Sequence, residues 1–317
     1  MQNFSAQDVH RLLDYSTLMD ALDEAHRGPM PIVERQLLEQ GQDGMIVWSA
    51  WLPDQAMGVK VMTLYPQNRS RPTVQGLFTL FDGRGGAPLA MIDGAALTVR
   101  KTAADSGLAA RYLAPVDARV LLMVGAGAMA PHLIAAHRAA RPSIERVLVW
   151  NRTTTRAEKL VAELVDIDIS MAPDLPAAVG QAHVISCATR SMEPMIRGDW
   201  LHPGCHLDLV GGFTRHMREA DDGAILRSAV FVDTRRFTVT ECGDLAQPMA
   251  SGIISEDHIR GDLFELAQST VAGRASVEDI TLFKNGGGGH LDLFTAILLR
   301  DLAQGLAQNH GSRDGDV

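Results

Sequence analysis

The chain has 317 residues, 46% hydrophobic and 21% charged, which is long enough for two ordinary globular domains and too apolar for a disordered chain. Its net charge of −9, from 29 basic and 38 acidic residues, argues against a nucleic-acid coat, which needs a basic face. No run of 18 uncharged apolar residues marks a membrane span, and the stretch from Met1 to Tyr15 lacks the basic and apolar regions of a secretory signal, so a cytoplasmic location is expected.

The predicted elements fall into two textures. Ser5 to His26 reads as a helix: Ser5 can cap it, and Val9, Leu12, Leu13, Leu18, Met19 and Leu22 recur at helical spacing. Gly44–Trp51, Ala56–Leu64 and Thr73–Asp82 have strand character, and the turn Gly83-Arg84-Gly85-Gly86 joins the last to Ala87–Ile92, so antiparallel β structure is expected. Ala95 to Leu113 reads as a long helix. From Arg119 the pattern changes to short, almost wholly apolar runs, at Arg119–Val124, Arg146–Trp150, His183–Ala188, His206–Val210 and Ala229–Asp233, with helical segments between most of them. Such runs are strands buried on both faces, and their alternation with helices predicts βαβ units in a parallel sheet. Leu291 to Ala307 is helical again, and Gln308 to Val317 is polar and reads as a frayed end.

The sharpest motif is GxGxxA, formed by Gly125, Gly127 and Ala130 with Ala128 and Met129 between them. It follows a buried strand and opens a helix, which is the context of a dinucleotide-binding turn. Gly125 permits the tight turn, Gly127 lets a pyrophosphate approach the backbone, and Ala130 lets helix and strand pack closely. The helix start offers free N–H groups to phosphate. The next strand ends at Trp150 and is followed by Asn151-Arg152-Thr153, with Arg156 one turn on. No carboxylate stands there to hold two ribose hydroxyls, and a guanidinium suits a 2′-phosphate. NADPH is therefore expected as cofactor, with NADH as the second candidate.

The first region carries separated basic residues in apolar surroundings: Arg35, Lys60, and the adjacent Arg100 and Lys101. Lys60 sits inside a strand pattern, so it either points to solvent or meets an anion. Three such sites suggest a carboxylate-binding pocket. The 11 histidines show no HExxH, and Pro203-Gly204 between His202 and His206 rules out a helical pair, so no metal is expected. Cys187, Cys205 and Cys242 show no CxxC, fit a reducing compartment and are read first as small buried hydrophobes.

Several segments together give a resemblance: Gly58-Val-Lys60, Tyr65-Pro-Gln-Asn68, Thr73-Val-Gln-Gly76, Leu97 to Ala109, Val124-Gly-Ala-Gly127, and Val210-Gly-Gly212 followed by Met217-Arg-Glu-Ala-Asp221. Over nearly its whole length the chain resembles the ornithine cyclodeaminase/mu-crystallin family. The resemblance implies an α/β fold in which residues 1–115 and 287–317 form a split α+β substrate and dimerisation domain, and residues 116–286 form a Rossmann domain. It implies a homodimer, substrate-carboxylate contacts from Arg35, Lys60 and the Arg100–Lys101 pair, Thr73 near substrate and nicotinamide, and Thr102, Ala103 and Thr189 near the cofactor. Ornithine cyclodeaminases carry a catalytic Asp after the Val-Gly-Gly-like strand end; here that place is Phe213. Phe can neither give nor take a proton, and it can line an apolar pocket or simply pack in the core. What the resemblance then implies is an NAD(P)H-dependent reductase of a cyclic imine carboxylate, delta-1-pyrroline-2-carboxylate to L-proline, with the six-membered homologue to pipecolate as a second substrate and Lys60 as the best proton donor. The rival readings are an ornithine cyclodeaminase that recycles NAD, an alanine-dehydrogenase-like enzyme, and a non-catalytic, mu-crystallin-like binding protein.

Overall fold

The computed structural model describes residues 1–311, with side chains through Leu306. In chain order the elements are β1 (Gln2–Phe4), α1 (Ala6–Leu12), α2 (Tyr15–Arg27), β2 (Ile32–Gln40), β3 (Asp43–Leu52), β4 (Ala56–Leu64), β5 (Val74–Asp82), β6 (Pro88–Asp93) and α3 (Gly94–Leu113). There follow β7 (Val120–Val124), α4 (Ala130–Ala140), β8 (Arg146–Trp150), α5 (Thr154–Glu163), β9 (Asp168–Met171), α6 (Leu175–Val179), β10 (Val184–Cys187), β11 (His206–Leu209), α7 (Asp222–Arg227), β12 (Ala229–Val232), α8 (Gly243–Ala250), β13 (Ile259–Asp262), α9 (Leu263–Ala267), β14 (Thr281–Lys284) and α10 (Gly289–Gly311). The chain divides into two compact units, Met1–Thr102 with residues from Gly288 onward, and Ala103–Gly287. The division falls inside α3 and not at 115/116, where the texture of the sequence changes. α10 runs to Gly311, and the rest of the polar end expected to fray lies outside the described residues.

The first unit is a six-stranded sheet of order β1-β6-β5-β4-β3-β2. All pairings are antiparallel except β1 with β6. The helix expected over Ser5–His26 is two helices, because Asp14 starts a second one by accepting a hydrogen bond from the Thr17 N–H at 3.0 Å. Along β4 the residues alternate, so Ala56, Gly58, Lys60 and Met62 share the buried face. The register lines up Arg35, Trp48, Lys60 and Phe78 in one row across β2 to β5. α10 packs across these four strands.

The second unit is an eight-stranded, wholly parallel sheet of order β13-β12-β14-β11-β10-β7-β8-β9. Leu121 to Val124 on β7 are fully buried, as an apolar central strand requires. Strand order reverses at β7, between β8 and β10, and the carboxyl ends of strands at such a point form the crevice where dinucleotides bind. The carbonyls at the end of α3 are satisfied by two guanidiniums: Arg141 donates to Arg111, Ala114 and Pro115, and Arg274 donates to Leu113. They do for this buried helix end what water does for an exposed one.

Candidate active site

The turn after β7 is built as a phosphate cradle. Gly125 has φ of +107°, and a Cβ there would meet the Ala188 carbonyl at 2.7 Å. Gly127 faces open space, with nothing within 4 Å of where a Cβ would stand, so a ligand can reach its backbone. Ala128 is exposed, Ala130 is buried against the sheet, and Met129, the residue that precedes α4, supplies no side-chain cap to the helix start. The N-terminus of α4 therefore presents backbone donors toward this space. A cleft of about 420 Å³ borders it, lined by Ala126, Gly127, Ala128, Arg156 and Lys159 among others. The residues present thus fit a dinucleotide.

Asn151 has a different part from the one its place in the sequence suggests. Its Oδ1 accepts from the Ala126 N–H at 3.1 Å and its Nδ2 donates to the Thr153 carbonyl at 2.8 Å. Both ends of the amide are used, so Asn151 braces the glycine turn against the end of β8. Arg152, Thr153 and Arg156 are exposed around it. Thr102 is half-buried, and Ala103 is fully buried, which leaves its methyl to packing.

At the ends of β10 and β11 the unit holds a second polar group. Thr189 donates through its N–H and its Oγ1 to Glu219 Oε1, at 2.7 and 2.8 Å. Burial pushes the Glu219 carboxyl up, against the neighbouring Lys284 cation. Lys284 lies 3.0 Å from Asp244 and also donates to the Gly211 carbonyl. Phe213 stands 46% exposed beyond Gly211-Gly212, so it is a surface side chain and not part of the core. The two acids near it in sequence are committed elsewhere. Asp208 is fully buried and accepts from Ser106, Ser186 and His137 at 2.9, 2.7 and 2.9 Å. Burial alone would raise its carboxyl, but the His137 and Ser186 hydrogen bonds hold it below the usual range. Asp221 caps α7, accepting from Ala224 and Gly198.

In the first unit Lys60 meets an anion. Its Nζ lies 2.6 Å from Asp292 Oδ2, with side-chain exposures of 6% and 0%. Burial lowers the Lys60 ammonium to about 8; Asp292 works against this, and Lys101 adds to it. Lys101, also buried, donates to the Gly288 carbonyl at 3.3 Å. Arg100 faces the other way: its guanidinium donates to His10 Nδ1 and the His10 carbonyl at 3.1 and 2.8 Å and lies over the Tyr15 ring. Successive helical residues point about 100° apart, so only one of the pair can face the pocket, and it is Lys101. Of the two, Lys101 is the one beside Lys60, and Arg100 is engaged with α1 and α2. Arg35 lies over Trp48, in the row that contains Lys60. Thr73 is half-buried in the segment before β5, its carbonyl accepting from Tyr65.

Sequence reasoning missed Asp292 and Glu219. Asp292 follows the run Gly286–Gly289, whose purpose is now visible. Gly287 has φ of +70°, Gly288 gives its carbonyl to Lys101, and a Cβ on Gly289 would come within 3.2 Å of Val33. The run lets the first turn of α10 approach β2 and β3 closely. An acid one turn into a helix, beyond glycines that permit close approach, was the available signal.

A parallel doubly wound unit with a glycine-turn cradle, and a split α+β unit with a buried lysine–carboxylate pair, define a Rossmann-type dinucleotide-binding protein. A model of the ornithine cyclodeaminase/mu-crystallin family matches residues 7–306, and the chain belongs to that family. It is 42% identical over 299 residues to the Delta(1)-pyrroline-2-carboxylate reductase of Paracoccus denitrificans, covering 93% of this chain and 95% of that protein. The structure of the Thermococcus litoralis Delta(1)-pyrroline-2-carboxylate reductase in complex with NADH and L-proline superimposes with a TM-score of 0.91 at 30% identity, over 97% of this chain and 98% of that one. An archaeal alanine dehydrogenase, described as a dimer with bound NAD, superimposes with a TM-score of 0.89 at 25% identity, over 98% and 97%.

Proposed function

We propose that this protein reduces a cyclic imine carboxylate with a reduced nicotinamide cofactor, delta-1-pyrroline-2-carboxylate to L-proline, and takes the six-membered homologue as a second substrate. The observation that carries the reading is position 213. Phe213 stands where a cyclodeaminase has its acid; the two acids nearest it in sequence, Asp208 and Asp221, are occupied by structural hydrogen bonds, and the carboxylates beside Gly211-Gly212, Glu219 and Asp244, are engaged by Thr189 and Lys284. Two reductases of this imine among the similar proteins, one of them holding NADH and L-proline, support it.

The reaction divides among this chain's residues as follows. Lys101 and Arg35 hold the substrate carboxylate, with the two remaining N–H groups of Lys101 available beyond its bond to Gly288. Lys60 gives a proton to the imine nitrogen. The glycine turn and the start of α4 would hold the pyrophosphate of the cofactor, and Thr189, after β10 in the same unit, would lie toward its nicotinamide. A reduced nicotinamide bound there would supply the hydride for the ring carbon that bears the carboxylate. Catalysis is positioning plus charge placement.

NADPH is the preferred cofactor in this reading, because Arg152 and Arg156 flank the turn after β8 and no carboxylate stands between Asn151 and Arg156; farther along α5, Lys159 lies 3.7 Å from Glu163, which lines the same cleft. The protein acts as a homodimer. On the outward face of the first sheet Ile32, Leu38, Trp51 and Leu77 are 54%, 48%, 44% and 51% exposed, an apolar surface that a second copy would cover. The test is a panel of imine and keto acids assayed with both reduced nicotinamides. The reading expects turnover of the two cyclic imines, faster with NADPH, and little with pyruvate plus ammonia; the reverse pattern contradicts it.

A further inference from the structure

Asp292 reaches Lys60 from the first turn of α10, and the pair has almost no contact with solvent. The register puts Arg35, Trp48 and Phe78 in the row of Lys60 on the same face of the sheet, Asp292 of α10 and Lys101 of α3 act on its ammonium, and His290 of α10 lies beside Lys101. His26 of α2 stands behind, its ring 5.6 Å from that of His290. Burial holds both histidines neutral, His26 at about 4 and His290 well below the usual value. Asp292 is the carboxylate of this set, and it is ion-paired with Lys60.

We propose that Asp292 is the positioning residue of the reduction: it holds Lys60 by one N–H, aims the remaining two, and keeps the amine protonated so that it can serve as the donor to the imine nitrogen. This rests on the reductase reading given above. It also explains the division of labour in the pocket. A lysine tied to a buried carboxylate is already neutralised and contributes little net charge toward a second carboxylate, so Lys101 takes the larger part in holding the substrate. In the step itself one Lys60 N–H bond breaks as the N–H bond on the imine nitrogen forms. The ring carbon gains the hydride that a bound reduced nicotinamide, oxidised in exchange, would supply, and the C=N bond becomes C–N. Lys60 is then a neutral amine beside Asp292 and recovers its proton from water when the product departs. The sum is imine plus reduced cofactor plus one proton giving amine and oxidised cofactor.

The test is the pH dependence of kcat/KM for delta-1-pyrroline-2-carboxylate at saturating reduced cofactor, in the wild type, Asp292→Asn, Asp292→Glu and Lys60→Arg. The Kd of pyrrole-2-carboxylate, a planar carboxylate that cannot be reduced, is measured beside it. In the wild type the rate falls on the alkaline side near the Lys60 value of about 8. Removing the carboxylate charge lets burial and Lys101 act unopposed, so in Asp292→Asn this limb moves to lower pH by about one unit or more, and the rate above it falls about tenfold per unit. A limb belonging to the substrate would be the same in every variant. Asp292→Glu keeps the limb near its wild-type place. Lys60→Arg, whose guanidinium keeps its proton throughout, loses kcat by at least about 100-fold, at the lower end of what general acid catalysis contributes. The pyrrole-2-carboxylate Kd stays within about threefold in both Asp292 variants. An unmoved limb in Asp292→Asn overturns the proposal and leaves the reductase reading intact, as does an active Lys60→Arg if Asp292→Asn does not fold. A wild type that leaves the imine unreduced overturns both.

Discussion

Lys101→Met and Arg100→Met separate two adjacent cations that a sequence cannot distinguish. Lys101 is 3% exposed and its ammonium lies in the Lys60 pocket, so a substrate carboxylate meets it with little solvent screening. A hydrogen bond to a charged group is worth about 1.5–3 kcal/mol, and about 1.4 kcal/mol is a factor of ten, so Lys101→Met raises KM for the imine by roughly 10- to 150-fold. Arg100 makes two hydrogen bonds to His10 and stacks 4.7 Å from the Tyr15 ring centre, which ties α3 to α1 and α2. Losing one charged hydrogen bond's worth and a cation–π contact costs about 2–3 kcal/mol of stability. At about 2–4 °C per kcal/mol for a domain of this size, Tm falls by roughly 4–12 °C in Arg100→Met while KM stays put. Initial rates at saturating reduced cofactor and a thermal melt on each variant give both numbers. If Arg100→Met raises KM as much as Lys101→Met does, or Lys101→Met leaves it unchanged, the assignment of the carboxylate contact to Lys101 is wrong.

Three further outcomes are expected. Arg152→Ala raises KM for NADPH by roughly 10- to 100-fold and barely alters NADH, whereas Asn151→Ala, which unbraces the glycine turn, weakens both; equal effects of Arg152→Ala on the two cofactors would remove its phosphate role. Sedimentation velocity at micromolar concentration gives a dimer, and a single 34.2 kDa species would exclude one under those conditions. Acid destabilisation begins well above the carboxylate range. Burial lowers His26 to about 4 and His206 to about 3 in the folded chain, so below the unfolded value of about 6.5 the unfolded state binds protons that the folded state refuses. Stability therefore falls with pH, at up to about 1.4 kcal/mol per unit for each of the two, across the window from about 6.5 down to those folded values. A Tm that is flat from pH 6.5 to 4.5 would show that these rings are not buried neutral.

The parts of the fold written in local pattern could be read directly. β4 and β8 fall at Ala56–Leu64 and Arg146–Trp150, the bounds their apolar runs indicate, and the glycine turn lies between β7 and α4 as its spacing requires. What escaped was set by distant neighbours. β2 carries Glu34, Arg35 and Gln36 in its middle, and only its nine-residue pairing with β3 makes it a strand. β14 is four residues ending in Lys284, a charge that looks like a loop until Asp244 and the Gly211 carbonyl are seen around it. Within the site, Lys60 was identifiable as a strand lysine that needed an anion, but its partner lies more than two hundred positions away on α10, and no local spacing links the two. Arg100 and Lys101 differ only in helical phase, which requires knowing the position of α1.

The central claim is that the chain reduces a cyclic imine and does not cyclise a diamine. The direct measurement incubates the purified protein with delta-1-pyrroline-2-carboxylate and NADPH, and separately with ornithine and NAD, following cofactor absorbance, chiral proline and released ammonia. The account predicts NADPH oxidation with stoichiometric L-proline in the first mixture and no ammonia above background in the second. Ammonia released from ornithine, with the imine left unreduced, would contradict it and return the missing acid at position 213 to another carboxylate of the chain.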